Sequence, residues 1–251
     1  MRVLRRVLRV WVLSLVVIPG FVWAQCTTMW DVADLARQAS PVVSYAVPKG
    51  NPVRISTAWA RSILEVKNRI DKASGIKTQF FLCSDAEPNA FATIVEGKNV
   101  VALTLGMGKL LGNDMDAFAA ILGHENAHLT LGHHRETQTR EAIIGLAQLF
   151  GSIAMESLIQ SGGGGAGWGS RLTALGASLV STAYSRENET EADRQGIRYT
   201  IAAGYDPQGA IRLHQKLDSR GGFLSTHPGS QQRVAELQRT IAEVQAERGH
   251  R

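Results

Sequence analysis

The chain has 251 residues, 44% hydrophobic and 20% charged, with 25 Gly, 7 Pro and 2 Cys. That composition excludes a disordered or collagen-like polymer, and two cysteines exclude a disulfide-framework fold and a four-cysteine zinc module. Four arginines in residues 1–24, with no acid among them, account for all but +1 of the formal +5, so no nucleic-acid partner is expected.

Residues 1–9 are basic (Arg2, Arg5, Arg6, Arg9), and residues 10–24 form a largely apolar run broken at Pro19-Gly20. A membrane-spanning helix wants about twenty apolar residues, so 1–24 reads as a signal peptide cleaved after Val22-Trp23-Ala24, with an uncleaved anchor as the alternative. Cys26 raises a lipoprotein, but Gln25 stands where a lipobox has Gly or Ala. The expectation is a soluble exported protein, most simply in a bacterial periplasm. There, Cys26 and Cys83 are a candidate disulfide, worth about 4 kcal/mol in the chain-entropy model, and two unpaired buried thiols are the alternative.

Residues 25–54, with Pro41, Pro48 and Pro52, read as an irregular segment containing one short helix near 30–38. Residues 55–251 read as one folded domain. Ile55, Trp59, Ile63, Val66 and Ile70 recur at spacings of three and four and predict a helix over 55–73, ended by Gly75. Phe80-Phe81-Leu82 reads as a strand, and 90–95 with 99–104 as a hairpin around Glu96-Gly97-Lys98. From Asn113 or Asp114 as cap, a helix is predicted to about Gly132, followed by a second over 136–160. The glycine-rich stretch Gly162–Gly169 contains GxGxxG but has no strand before it, so it reads as an interhelical loop. A long helix over 171–203 ends at Gly204, and two more cover 207–218 and 229–248. The sum is α+β: mostly helices, with a small antiparallel sheet early in the chain.

His124-Glu125-Asn126-Ala127-His128 is HExxH within a predicted helix. Positions i and i+4 share a helix face, so the two imidazoles stand one turn apart, ready to hold one metal ion. Glu125 projects about 100° around from His124, too far to ligate comfortably but able to touch a metal-bound water. A solvated helix face carrying two histidines is the bland alternative. A catalytic zinc needs a third ligand and an open position. His134 is one route, but Leu131 stands where that arrangement needs a glycine turn, and His133 and His134 read better as residues complementing the helix dipole. Glu189 and Asp193, i,i+4 on a later helix, are the other route: a carboxylate ligand, then a carboxylate that hydrogen-bonds a ligand histidine. Glu187 and Glu191 read as solvated neighbours, and a solvated face is again the alternative for the whole acidic run.

GHENAHLTLGHH, Asn89-Ala90-Phe91-Ala92, the stretch 185–193 ending Glu189-Thr190-Glu191-Ala192-Asp193, and Thr226-His227-Pro228 with Arg233 resemble the HtpX and CAAX-prenyl-endoprotease family of zinc metallopeptidases. The small periplasmic members of the LoiP and BepA type are most similar, over roughly residues 55–245. The resemblance implies a gluzincin-like fold, one Zn2+ per chain held by His124, His128 and Glu189, Glu125 as catalytic base, and Asp193 hydrogen-bonded to a ligand. The multiple transmembrane helices and added repeat domain of other members are missing here, which leaves a bare catalytic module as the expectation.

His227 is the first candidate to donate to the developing oxyanion, with Tyr184 and Arg233 behind it. It could equally occupy the open zinc position, or simply begin the last helix. Substrate is expected along Asn89–Ala92 and on to Val95, as an extended peptide added to a sheet edge. The function implied is an endopeptidase acting on unfolded or misassembled envelope proteins, with peripheral association to the outer membrane or its assembly machinery. A zinc hydrolase of a non-peptide substrate and a chaperone-like metal-binding protein are the competing classes.

Overall fold

The computed structural model describes residues 28–46, 52–133, 184–217, 227 and 230–249. The expected signal peptide, Cys26, His134, the helix over 136–160, the stretch 162–169 and the first part of the helix over 171–203 lie outside the described residues. The elements run β1 (Met29–Asp31), α1 (Val32–Arg37), β2 (Val42–Tyr45), β3 (Val53–Ser56), α2 (Thr57–Ser74), β4 (Thr78–Cys83), β5 (Ala90–Val95), β6 (Lys98–Thr104), α3 (Leu105–Leu111) and α4 (Met115–Leu131). Three further helices follow, α5 (Arg186–Ala202), α6 (Gln208–Leu217) and α7 (Ser230–Gly249).

Helix α2 matches its sequence signals. The Ser56 side chain accepts from the Trp59 amide, Ala60, Ile63, Val66 and Ile70 form the buried stripe, and Gly75 closes the helix at φ 74°, where a β-carbon is disfavoured. Its last turn also buries an acid, Asp71. That carboxylate accepts from the Thr78 amide at 2.8 Å and the Thr78 hydroxyl at 2.9 Å, pinning the helix to the start of β4.

The main sheet has the order β1-β4-β6-β5. Strands β4 and β6 are parallel and the other pairs antiparallel, so the sheet is mixed rather than antiparallel as expected. The reason lies in the hairpin. Glu96 and Gly97 both have positive φ (48° and 74°), the turn that folds β6 straight back along β5. The open edge of β6 is then taken by β4 running in the same direction, a choice that strand periodicity does not encode. Phe80, Leu82, Val101 and Leu103 face the helices, and Phe81, Cys83, Val100 and Ala102 form a second apolar layer on the opposite face. Cys83 is disulfide-bonded, and the chain's other cysteine, Cys26, lies outside the described residues. The segment expected to be irregular carries α1 but also β1 and β2; strands of three and four residues are too short to show a period.

Helix α4 is capped by Asp114 and closed by Gly132 at φ 76°, and every residue from Ala117 to Leu129 is buried. A helix buried on all sides is the centre of its domain. It packs against α2, α5, α6 and β5. Helix α5 starts later than expected, at Arg186. The Ser185 side chain accepts from the Asn188 amide, and Glu187 and Glu189 sit in the first turn, where the helix dipole favours negative charge. Among the described residues, no helix is long and apolar enough to cross a membrane.

Candidate active site

Two glycines set the crossing of α4 and α5. A β-carbon on Gly196 would lie 2.8 Å from the His124 nitrogen and 2.9 Å from both Gly123 C and His124 Cα; one on Gly123 would lie 2.8 Å from the Gly196 carbonyl oxygen. The two backbones therefore touch. That contact carries Asp193 and Glu189, about one and two turns before Gly196, over the face of α4 that presents His124 and His128.

The side chains converge. His128 Nε2 lies 3.0 Å from His124 Nε2 and 3.3 Å from Glu189 Oε1, and His124 Nε2 lies 3.5 Å from Glu189 Oε2. A fourth group joins them: His227 Nδ1 is 2.9 Å from Glu189 Oε1 and 3.3 Å from His124 Nε2. All four residues are buried, and their ligand atoms lie within 4.8 Å of one another. An ion with tetrahedral ligands at about 2.1 Å separates those ligands by about 3.4 Å. The donor set, two to three imidazoles and a carboxylate, and its spacing both suit a divalent metal.

The electrostatics agree. Burial pulls the His124 imidazole down, but Glu189 and Asp193 more than reverse this and carry it up to about 10. Burial would raise Glu189, yet the His227 and His124 imidazoles hold it well below the carboxylate range. Burial drives His128 well below the usual imidazole value, and the like charges of His124 and His227 add to this. The pocket favours positive charge between its ligands. Glu125 is fully buried, neither of its oxygens has a hydrogen-bond partner among the described residues, and His227 Nε2 stands 3.6 Å away. Burial raises its pKa. A buried carboxylate left so costs free energy unless something polar meets it, as a catalytic water would.

Around the cluster, Asp193 Oδ1 lies 3.0 Å from His124 Nδ1. Arg233 of α7 grips Asp193 through two bonds, Nε–Oδ2 at 2.7 Å and Nη2–Oδ1 at 2.8 Å, and its Nη2 lies 2.8 Å from Glu189 Oε2. A third bond reaches the His227 carbonyl at 3.5 Å. Arg233 thus braces the acids from behind, a placement different from the oxyanion side considered for it. Tyr184 stacks on His128 with ring centroids 3.7 Å apart and planes 16° from parallel.

His133, expected to serve only the helix dipole, instead places Nδ1 3.0 Å from His128 Nδ1 and Nε2 3.3 Å from Glu191 Oε2. Asn126 was passed over in the motif; its amide donates to Asp71 at 3.2 Å and Ser74 at 3.0 Å, tying the HExxH turn to α2. Gly196 was also missed, although a glycine inside a helix pattern signals close approach. Asn89 and Ala90–Ala92 lie at the start of β5, the edge strand packed on α4, with the Asn89 amide bonded to Thr104 Oγ1 at 2.9 Å. They do not enter the His124–His128–Glu189 cluster.

An HExxH helix beside a small mixed sheet, with a carboxylate delivered by a later helix, builds a cluster that could hold a metal ion. The model of peptidase family M48 matches residues 57–241. The chain belongs to that family. It is similar to the mitochondrial metalloendopeptidase OMA1 of Schizosaccharomyces pombe, 28% identical over 77% of this chain and 55% of that one. It is also similar to the beta-barrel assembly-enhancing protease of Escherichia coli K12, 31% identical over 66% of this chain and 35% of the other. A putative beta-barrel assembly-enhancing protease of Vibrio cholerae matches at the same identity over 66% and 36%. The chain therefore spans about half of the yeast relative and about a third of the bacterial ones.

Proposed function

We propose that the chain is an exported zinc endopeptidase, with one Zn2+ held by His124, His128 and Glu189 and with unfolded or misassembled envelope proteins as substrates. One observation carries this reading: Glu189 meets the HExxH histidines across the Gly123–Gly196 crossing, with the buried Glu125 carboxylate beside them. Bound zinc would acidify the attacking water and polarise the scissile carbonyl. Glu125 takes the proton of that water and passes it to the leaving amine nitrogen, a role suited to a carboxylate buried beside the proposed ligands. Asp193, clamped by Arg233, accepts from His124 Nδ1 and keeps Nε2 aimed at the metal. The substrate lies along β5, whose outer edge pairs with no strand among the described residues. Main-chain pairing there demands extended backbone and little sequence, in keeping with a quality-control role and with relatives named for β-barrel assembly. The basic, apolar N-terminus supports export to the periplasm, and the relatives named for β-barrel assembly support peripheral work at the outer membrane.

His227 Nδ1 lies 2.9 Å from Glu189 Oε1 and 3.3 Å from His124 Nε2, a placement that suits either a fourth ligand that latches the site or a donor to the developing oxyanion. Glu125→Gln should abolish cleavage of unfolded casein while zinc content stays at one per chain; unchanged cleavage refutes the assignment. His227→Ala should raise cleavage if the residue is a latch, whereas a large loss would make it the oxyanion donor.

A further inference from the structure

The two HExxH histidines are backed differently. His124 leans on a half-buried acid, Asp193. His128 leans on another imidazole, with its Nδ1 3.0 Å from His133 Nδ1, and His133 Nε2 in turn lies 3.3 Å from Glu191 Oε2. Residues five apart on an uninterrupted helix point about 140° away from each other. Here Gly132, at φ 76°, ends α4 with its amide on the His128 and Leu129 carbonyls, and the left-handed turn swings His133 back under the last turn.

With His128 Nε2 taken as a metal ligand, one proton assignment suits both contacts. His128 presents Nε2 to the ligand cluster, so that nitrogen must carry a lone pair. The single proton of the neutral ring is then on Nδ1, which donates to His133 Nδ1. His133 must accept there, so its own proton sits on Nε2 and donates to the Glu191 carboxylate. Each contact has one donor and one acceptor, and the chain ends on a carboxylate whose side chain is 65% exposed, while His133 is buried. A purely dipole-complementing histidine would need none of this register.

We propose that His133 and Glu191 are positioning residues for the metal site, a His–Glu relay that fixes the tautomer and ring plane of His128. This rests on the reading of His124, His128 and Glu189 as the zinc ligands. Partners that orient ligating histidines are worth about 10–100-fold in metal affinity.

The test is zinc affinity of the full chain by competition with a chromophoric chelator, alongside the visible spectrum of the Co2+ form. His133→Leu should weaken zinc about 10–100-fold and shift the cobalt bands, and Glu191→Ala, one step further out, about three- to tenfold. The double variant should bind no more weakly than His133→Leu, because Glu191 acts only through His133. His133→Gln, which can accept from His128 and donate to Glu191, should recover much of the loss. If His133→Leu fails to fold, Glu191→Ala still decides, since its side chain is largely in solvent. Zinc affinities within twofold of wild type for the variants that fold, with unchanged metal-free melting, overturn the relay. Glu189→Gln separates the layers: if it leaves zinc binding intact, the ligand reading falls and the relay with it, whereas its loss beside normal binding in the relay variants sinks the relay alone.

Discussion

Gly196→Ala tests the crossing on which the site is built. The new methyl would meet three backbone atoms of α4 at 2.8, 2.9 and 2.9 Å. Ordinary contact needs about 3.5–4.0 Å, so the shortfall is roughly 0.6–1 Å against atoms that have no rotamer to change. Overpacking a core costs about 1–3 kcal/mol, and rigid neighbours place this case near the top of the range. Alanine in a helix interior returns about 1 kcal/mol relative to glycine. The difference, about 2 kcal/mol of lost stability, lowers the melting temperature of a chain this size by about 4–8 °C. The same displacement moves Glu189 away from His124 and His128, and a misplacement of about 1 Å at a reacting centre costs on the order of 100-fold in rate. Circular dichroism melts and casein cleavage read the two effects together. A melting temperature that holds or rises, with full cleavage, would mean that helix propensity outweighs the contact and that the crossing has slack.

At the start of α4, the bidentate Arg212 guanidinium holds the Asp114 carboxyl below its ordinary value, against the opposing effect of burial. A carboxyl with a lowered folded pKa stabilises above its unfolded value, near 3.8, and that contribution drains away as pH falls through the folded value. Asparagine caps a helix as well as aspartate, so Asp114→Asn should cost about 0.5–1 kcal/mol at pH 7 and progressively less as pH falls below the unfolded value; a pH-independent difference in urea melts contradicts this. Asn126→Ala should cost about 1–3 kcal/mol through the lost bonds to Asp71 and Ser74 while zinc affinity stays within a few fold, and a cost below about 0.5 kcal/mol would remove Asn126 from the scaffold. A non-reducing peptide map should recover Cys26 joined to Cys83, and Cys26→Ser should cost about 4 kcal/mol in the chain-entropy model; free thiols on the native map exclude the pairing.

What the sequence disclosed follows the range of each physical signal. Helix α2, the β5–β6 hairpin and α4 were legible because cap, period and turn residues all lie within one element. Glu189 and Asp193 were legible as a pair from their i,i+4 spacing, but their meeting with His124 is decided by Gly123 and Gly196, residues with no side chain to announce a contact. His133 was misread because its role depends on the left-handed turn at Gly132, which undoes the helical angle used to place it. The parallel pairing of β4 with β6 and the late start of α5 escaped for related reasons: one is a choice between sheet edges, the other a serine cap inside a pattern that still looked helical upstream.

The proposed ligands come from α4 and α5, more than fifty residues apart in the chain, with Arg233 and His227 arriving later still. A nascent or unravelled chain has no local version of this centre, since His124 and His128 alone offer two donors. On the proposed reading, hydrolytic competence would be a late product of folding, acquired when the separated segments dock. Captured metal then draws the equilibrium toward the native state by mass action. On the proposed reading, a protease assembled this way would be inert during its own synthesis and would lose its activity as soon as it began to come apart.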